Sequence, residues 1–393
     1  MTTAPTATVQ GQATRAVHGT TLKDAHGAPH MPIYNTTTFA FENTAALLDV
    51  VDGRTPGALY TRYGMNPSVF ALEQTLASIE TAEACWAFCS GMAAEMAVFA
   101  EYGRDGIVCI GDAYGGTLEL LASQLPLLGI NTTFILGSEL EKLDGFLAGG
   151  ARLVFFETPT NPTLEILDIR AIAATAQAHG ALVAVDNTFA SPVNQRPLEV
   201  GADLVIYSAT KYLGGHSDIT AGVVLGRSEL ITPLWSWRKN LGTTITPETA
   251  SLLARSLRTL LVRVTHQNKS AQAVAEAMEA HPRISRVLYP GLPSHPGHDL
   301  AKELMQGFGG ILTIEIGGDA AAASAVADKL KIFALAPSLG GAESLATQPS
   351  TTTHHGLTVQ ERLHRGISDS MIRLSIGLED PADLIDDLTQ ALG

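Results

Sequence analysis

The sequence predicts an α/β protein: a mostly parallel seven-stranded sheet with a smaller α/β domain at its C-terminal end. Seven short apolar runs alternate with helical segments between residues 85 and 225, the pattern of a parallel sheet covered on both faces. Polar and aromatic residues recur just after those runs, at the strand ends where such sheets bind ligands. After about residue 250 the alternation gives way to a long helical stretch, 250–280, and shorter elements. The chain divides accordingly into an arm, 1–60, a large domain, 61–255, and a C-terminal domain, 256–393.

Taken in order, residues 1–12 are rich in Thr and Ala and lack the basic start and apolar centre of a signal peptide, so they read as a loose arm. Little of 1–60 is periodic, and the polar, β-branched run 32–39 is suited to packing on another surface. The Gly and Asn-Pro content of 60–68 predicts a loop, followed by a helical pattern over 69–79. Strands are expected at 85–89, 107–110, 133–136, 153–156, 182–185, 204–207 and 222–225, with helices at 92–101, 118–127 and 169–179. Beyond 280 come strands at 310–316 and 371–376, a helix near 321–330 and an amphipathic helix over 381–392.

Composition narrows the function. With 46% hydrophobic and 16% charged residues the chain buries a large core and is not disordered. A net charge of −14 without a Lys/Arg block excludes nucleic acid as the expected partner. No apolar run approaches the roughly 18 residues that span a bilayer. Cys85, Cys89 and Cys109 are odd in number and in apolar surroundings, which points to core thiols in a reducing cytoplasm. His354-His355 lack a third ligand at metal spacing, so no metal is expected.

One stretch organises the rest: Tyr207-Ser208-Ala209-Thr210-Lys211-Tyr212-Leu213-Gly214-Gly215, after a buried-strand run. A lysine forms a Schiff base with an aldehyde, and two hydroxyls beside it bind a phosphate; pyridoxal phosphate carries both groups. A surface lysine after a core strand is the plainer alternative. Other strand ends add to the first reading. Gly91 and Met92 start a helix and offer free N–H groups to a phosphate, or make an ordinary cap with Ser90. Asp186 closes an apolar strand and needs a partner, either a pyridinium nitrogen or a local cap or salt bridge. Tyr114 is a ring to stack on the coenzyme, or a core aromatic; Asn161 is a hydrogen-bonding group, or a turn former before Pro162. Arg373, inside an apolar strand, requires an anion: an amino acid's α-carboxylate or a structural acid.

Together these motifs resemble the Cys/Met-metabolism family of pyridoxal-phosphate enzymes, of fold type I. Its members include cystathionine γ-synthase, cystathionine γ-lyase, methionine γ-lyase and O-acetylhomoserine sulfhydrylase. The likeness runs from about Thr14 to the C-terminus, through Tyr60-Thr61-Arg62, Ser90-Gly91-Met92, Tyr114-Gly115-Gly116-Thr117, Glu157-Thr158-Pro159-Thr160-Asn161-Pro162, Asp186-Asn187-Thr188, Ser208-Ala209-Thr210-Lys211 and Arg373-Leu374-Ser375. The resemblance implies that Lys211 is the Schiff-base lysine and proton shuttle, and that Asp186 pairs with the pyridinium. It implies that Tyr114 stacks on the ring and acts as acid to the leaving group. It assigns Ser90, Gly91, Met92, Asn161, Thr188, Ser208 and Thr210 to the coenzyme, with Tyr60 and Arg62 reaching the phosphate of an adjacent subunit. Asn161, Ser338, Thr353 and Arg373 would bind the substrate. The implied protein is a cytoplasmic homotetramer with shared sites that performs γ-elimination or γ-replacement in transsulfuration.

Departures from the family pattern bear on substrate. Three residues, Tyr63-Gly64-Met65, separate Arg62 from Asn66 where the family usually has two. Pro337 stands where cystathionine enzymes commonly carry Glu, and Gly116 where methionine γ-lyases carry Cys. Thr352 replaces a usual Met and is expected to add a hydroxyl near the site. A more polar pocket favours an oxygen-linked or otherwise polar Cγ substituent, such as an acyl ester or the oxyguanidine of canavanine, in a γ-lyase whose candidate substrates also include methionine, homocysteine and cystathionine. The alternatives are γ-replacement on an O-acylhomoserine and a non-catalytic scaffold, the latter opposed by the intact lysine, aspartate and arginine.

Overall fold

The structure is a computed structural model and describes residues 10–393. Residues 1–9 of the expected loose arm lie outside the described residues. Each apolar run of the first half forms a strand: β1 (Ala84–Phe88), β2 (Ile107–Ile110), β3 (Thr132–Ile135), β4 (Leu153–Glu157), β5 (Leu182–Asp186), β6 (Leu204–Tyr207) and β7 (Gly222–Gly226). They make one seven-stranded sheet in the order β1-β7-β6-β5-β4-β2-β3. It is parallel throughout except at β7, which runs antiparallel to β1 and β6. β2, β4, β6 and β7 are buried at every position, because helices cover both faces. On one face Phe99 meets Phe155 edge to face, with centroids 5.0 Å apart.

A smaller sheet follows, built from β8 (Ile284–Leu288), β9 (Ile311–Ile316), β10 (Ala334–Leu335), β11 (Leu345–Thr347) and β12 (Met371–Ser375), in the order β10-β11-β12-β9-β8. Its apolar face, with Leu312, Ile314, Ile372 and Leu374, packs on the helix Pro381–Leu392. Two side chains tie the small sheet to the large one, and a third ties it to the helix Leu260–Glu279. Thr313 donates to Pro162 O (2.7 Å), Tyr212 Oη accepts from Gly310 N–H (3.1 Å), and Gln267 donates to Gly341 O (2.8 Å).

Several expectations change. The stretch 250–280 is two helices, Pro247–Leu257 and Leu260–Glu279. At the break Ser256 O accepts from Thr259 N–H (3.2 Å) and from the Arg263 guanidinium (3.0 Å), which also reaches Tyr212 O (2.8 Å). The helix expected at 118–127 is a short α-turn, Gly115–Glu119, then a π-turn and a 3₁₀ turn that contains Pro126. Asn66 and Pro67 do not lie in a loop: they are the cap and first residue of the helix Pro67–Glu80. Two short helices, Gln12–His18 and Thr44–Val51, interrupt the arm. Cys85 and Cys109 are buried thiols, but Cys89 is exposed, because β1 has already ended at Phe88. No helix among the described residues is long and apolar enough to cross a membrane.

Candidate active site

The C-terminal ends of β4, β5 and β6 bring the site together. Register sets Glu157 opposite Asp186 and Asp186 opposite Ile206, beside the strand that leads to Ser208 and Lys211. Thr188 ties these ends: its N–H donates to Asp186 Oδ1 (2.8 Å) and its hydroxyl accepts from Ser208 N–H (2.8 Å). Asp186 is buried, and burial pushes its carboxyl up. Glu157 is pushed well up by burial and then by Asp186, and accepts the Tyr114 N–H at 2.6 Å.

An anion cradle lies next to them. Ser90 caps the helix Gly91–Tyr102 by accepting from Ala93 N–H (3.1 Å), while Gly91 and Met92 N–H have no hydrogen-bond partner among the described residues. A Cβ on Gly91 would lie 3.0 Å from Ser208 Cβ and 3.2 Å from its Oγ, so glycine permits the helix start to approach Ser208. The Ser208 hydroxyl also has no partner among the described residues, whereas the Thr210 hydroxyl bridges the Ala221 N–H (3.0 Å) and carbonyl (3.2 Å). Free N–H groups at the positive end of a helix, with a free hydroxyl facing them, suit a phosphate.

The amine and the guanidinium share the seam between the sheets. Lys211 Nζ donates to Ser338 Oγ at 2.9 Å. Burial, then Arg373, lowers its pKa to about 8. Arg373 on β12 is 4% exposed and forms no ion pair with an acid among the described residues. Its Nη1 donates to Asn161 Oδ1 (2.9 Å), its Nη2 to Ser338 O (2.9 Å), and its Nε is buried without a partner. The ring of Tyr114 stays 50% exposed, and a Cβ on Gly116 would come within 2.7 Å of its Cε1. Thr353 O lies against Gly115, and its hydroxyl pairs with His354 Nδ1 (2.8 Å). Thr352 adds no free hydroxyl, since it donates to Gln348 O at 2.7 Å.

Tyr60 and Arg62 stand apart. Arg62 donates to Lys239 O (2.6 Å) and lies over the Tyr60 and Tyr63 rings. Among the described residues no hydrogen bond joins either to Asp186, Ser208, Thr210 or Lys211. Conversely, Glu95 is buried at the site although the sequence reading leaves it without a role. Its signal is the one that exposed Arg373: a lone charge inside an apolar run, Ala93-Ala94-Glu95-Met96-Ala97.

The donor set fits pyridoxal phosphate: an amine for its aldehyde, the cradle for its phosphate, and a buried carboxyl for its ring nitrogen. Fold and site thus define the class of α/β enzymes that carry this coenzyme. The profile of the family described as Cys/Met metabolism PLP-dependent enzyme matches residues 13–393, and the chain belongs to that family, with pyridoxal phosphate as coenzyme. It is 41% identical to the L-methionine gamma-lyase of Pseudomonas deceptionensis over 388 residues, 97% of each chain. It is equally 41% identical to the chloroplastic cystathionine gamma-synthase 1 of Arabidopsis thaliana over 364 residues, which are 92% of this chain and 64% of that longer one. The crystal structure of cystathionine gamma synthase from Xanthomonas oryzae pv. oryzae, in complex with aminoacrylate and cysteine, matches with a TM-score of 0.92 at 39% identity, covering 98% of both chains.

Proposed function

We propose that this chain is a γ-lyase that removes the Cγ substituent, a thiol or a polar oxygen-linked group, from an L-amino acid such as methionine, homocysteine, cystathionine or canavanine. The observation that carries the reading is Arg373, a buried guanidinium without an acid partner among the described residues, close enough to Lys211 to lower its pKa. An α-carboxylate supplies the missing anion.

Arg373 binds that carboxylate, oriented by Asn161 and the Ser338 carbonyl. Bound pyridoxal phosphate supplies an aldehyde for the amino group and a ring that takes up electrons. Lys211 Nζ removes the proton from Cα, helped by a pKa that leaves part of the amine neutral near pH 8. With a proton also lost from Cβ, whose electron pair expels the Cγ substituent, the Tyr114 hydroxyl gives its proton to the departing group. Ser208, Gly91 and Met92 hold the phosphate, with the Thr210 hydroxyl, tied to Ala221, bracing the turn beside them, Ser90 fixing the helix start and Thr188 bracing Asp186. Thr353 closes the substrate side through its contact with Gly115. Exposed Pro337 offers no acid to a second amino group, and Gly116 leaves the Tyr114 ring room that a cysteine would take.

The same reading gives Tyr60 and Arg62 to the phosphate site of a second copy, within a cytoplasmic homotetramer built from two such dimers. That neither bonds to Asp186, Ser208, Thr210 or Lys211 among the described residues supports it, as do the exposed Ile33, Leu48 and Val51 of the arm. It also keeps the division into arm 1–60, coenzyme domain 61–255 and C-terminal domain 256–393. A γ-replacement enzyme is the second reading, favoured by the equal likeness to a cystathionine gamma-synthase. The test is 2-oxobutyrate release from methionine, homocysteine, cystathionine, O-acetylhomoserine and canavanine. Release from any of them is expected. Homocysteine from O-acetylhomoserine plus sulfide, without 2-oxobutyrate, overturns the first reading in favour of the second.

A further inference from the structure

Glu95 lies just after the first turn of the helix Gly91–Tyr102 and is only 3% exposed. Thr117 Oγ1 donates to its Oε2 at 2.7 Å. Its carboxyl is also in hydrogen-bonding contact with that of Asp186. An ionised carboxylate only accepts, and like charges in contact inside a protein do not both ionise, so the pair shares a proton. The surroundings do not favour two charges. Glu157 lies near both carboxyls, Cys109 near Glu95 and Tyr207 near Asp186, and among the described residues no Arg or Lys forms an ion pair with either carboxyl. Burial, then Asp186, pushes the Glu95 carboxyl well up, whereas the contact with Glu95 acts to lower that of Asp186; the proton therefore resides on Glu95.

We propose that Glu95 is a positioning residue for the coenzyme: held by Thr117, it donates the shared proton to Asp186 and so limits the charge that Asp186 presents to the ring nitrogen. The inference rests on the ring nitrogen meeting Asp186. A full negative charge there would hold the ring proton more tightly; a neutral donor behind it moderates that grip without removing the carboxylate.

The full chain, reconstituted with pyridoxal phosphate, tests this through two readouts besides activity: coenzyme retained on dialysis, and the pH midpoint of its visible absorption band. Glu95→Gln keeps a donor in place, so the midpoint stays and affinity changes by no more than about twofold. Glu95→Met removes the donor, so the midpoint moves to higher pH and affinity changes by about tenfold. Thr117→Val, a milder change, is expected to move the midpoint in the same direction. A Glu95→Gln midpoint about one unit lower would mean that Glu95 is an ionised counter-charge, and overturns the proposal. So does a wild-type midpoint in both Glu95→Met and Thr117→Val. Asp186→Asn separates the two levels: if it too leaves the midpoint in place, the ring nitrogen does not meet Asp186 and the underlying placement fails.

Discussion

Arg373 and Asn161 meet at 2.9 Å although 212 residues separate them. One lies on β12 of the smaller sheet, the other just past β4 of the larger. A guanidinium buried there has its planar fork held by an amide and a carbonyl, neither of which carries charge. Hydrogen bonds orient such a cation but do not neutralise it, so the site is built to receive an anion.

Replacing Arg373 by leucine is therefore expected to lower kcat/KM for an α-amino acid by about 100-fold or more, since two charge-assisted bonds are lost. Coenzyme retention is expected to change little, because the phosphate cradle proposed at Gly91, Met92 and Ser208 is left intact. Steady-state kinetics beside a dialysis assay decide it; loss of coenzyme with an unchanged KM would contradict the assignment.

Coenzyme uptake by the coenzyme-free chain should follow the neutral fraction of Lys211. Burial and then Arg373 lower its pKa from 10.5 to about 8, so the neutral amine predominates above pH 8 and not only above 10.5. The uptake rate should rise about tenfold per pH unit below that value and level off above it. In Arg373→Leu the plateau should begin at higher pH. Stopped-flow absorbance would show both, and a flat profile between pH 6 and 8 would count against the lysine's altered environment.

Arg238 and Glu73 form a buried pair at 2.5 Å, with side chains 1% and 7% exposed. The same guanidinium donates to Ala87 O (3.0 Å) and Tyr63 O (3.3 Å) and lies 4.5 Å from the Trp86 ring centroid. It thus braces the segment that carries Tyr60 and Arg62. Arg238→Met leaves Glu73 buried without its charge partner and is expected to destabilise the chain by about 3–5 kcal/mol. Denaturant unfolding of the single variants and of Arg238→Met with Glu73→Leu gives the check: the double variant should regain much of the loss.

Glu80 bonds Tyr207 and keeps its Oε2 buried without a partner. Burial, opposed by the bond to Tyr207 and by Arg196 and Arg15, raises its pKa from 4.5 to about 7. The folded chain therefore holds this proton where the unfolded chain has released it. The contribution is full below about pH 4.5 and is lost as pH rises to about 7, on the order of 3 kcal/mol. Glu80→Gln should flatten that part of the stability profile and gain on the wild type at pH 8. Unfolding midpoints measured from pH 5 to 8 would test it, and parallel profiles would exclude it.

Much of the architecture was legible along the chain. The seven apolar runs of the large sheet, the capped helix Gly91–Tyr102 and the final helix Pro381–Leu392 rest on preferences that act over a few residues. Lys211, Asp186 and Arg373 stood out for a related reason: each is a charge beside or inside an apolar run. β8, β10 and β11 were missed because they are short and partly polar, and depend on neighbours for their pairing. The break at Arg258–Thr259 was missed because neither Gly nor Pro marks it in the sequence.

Sequence alone thus carried the fold class and the coenzyme, since burial patterns and local chemistry are written within short windows. Tertiary structure decided which groups face one another: Arg373 with Asn161, Lys211 with Ser338, Glu95 with Asp186, and Arg238 with Glu73 across 165 residues. A buried polar group must find a partner, but packing of distant elements chooses it, and that choice has no local signature.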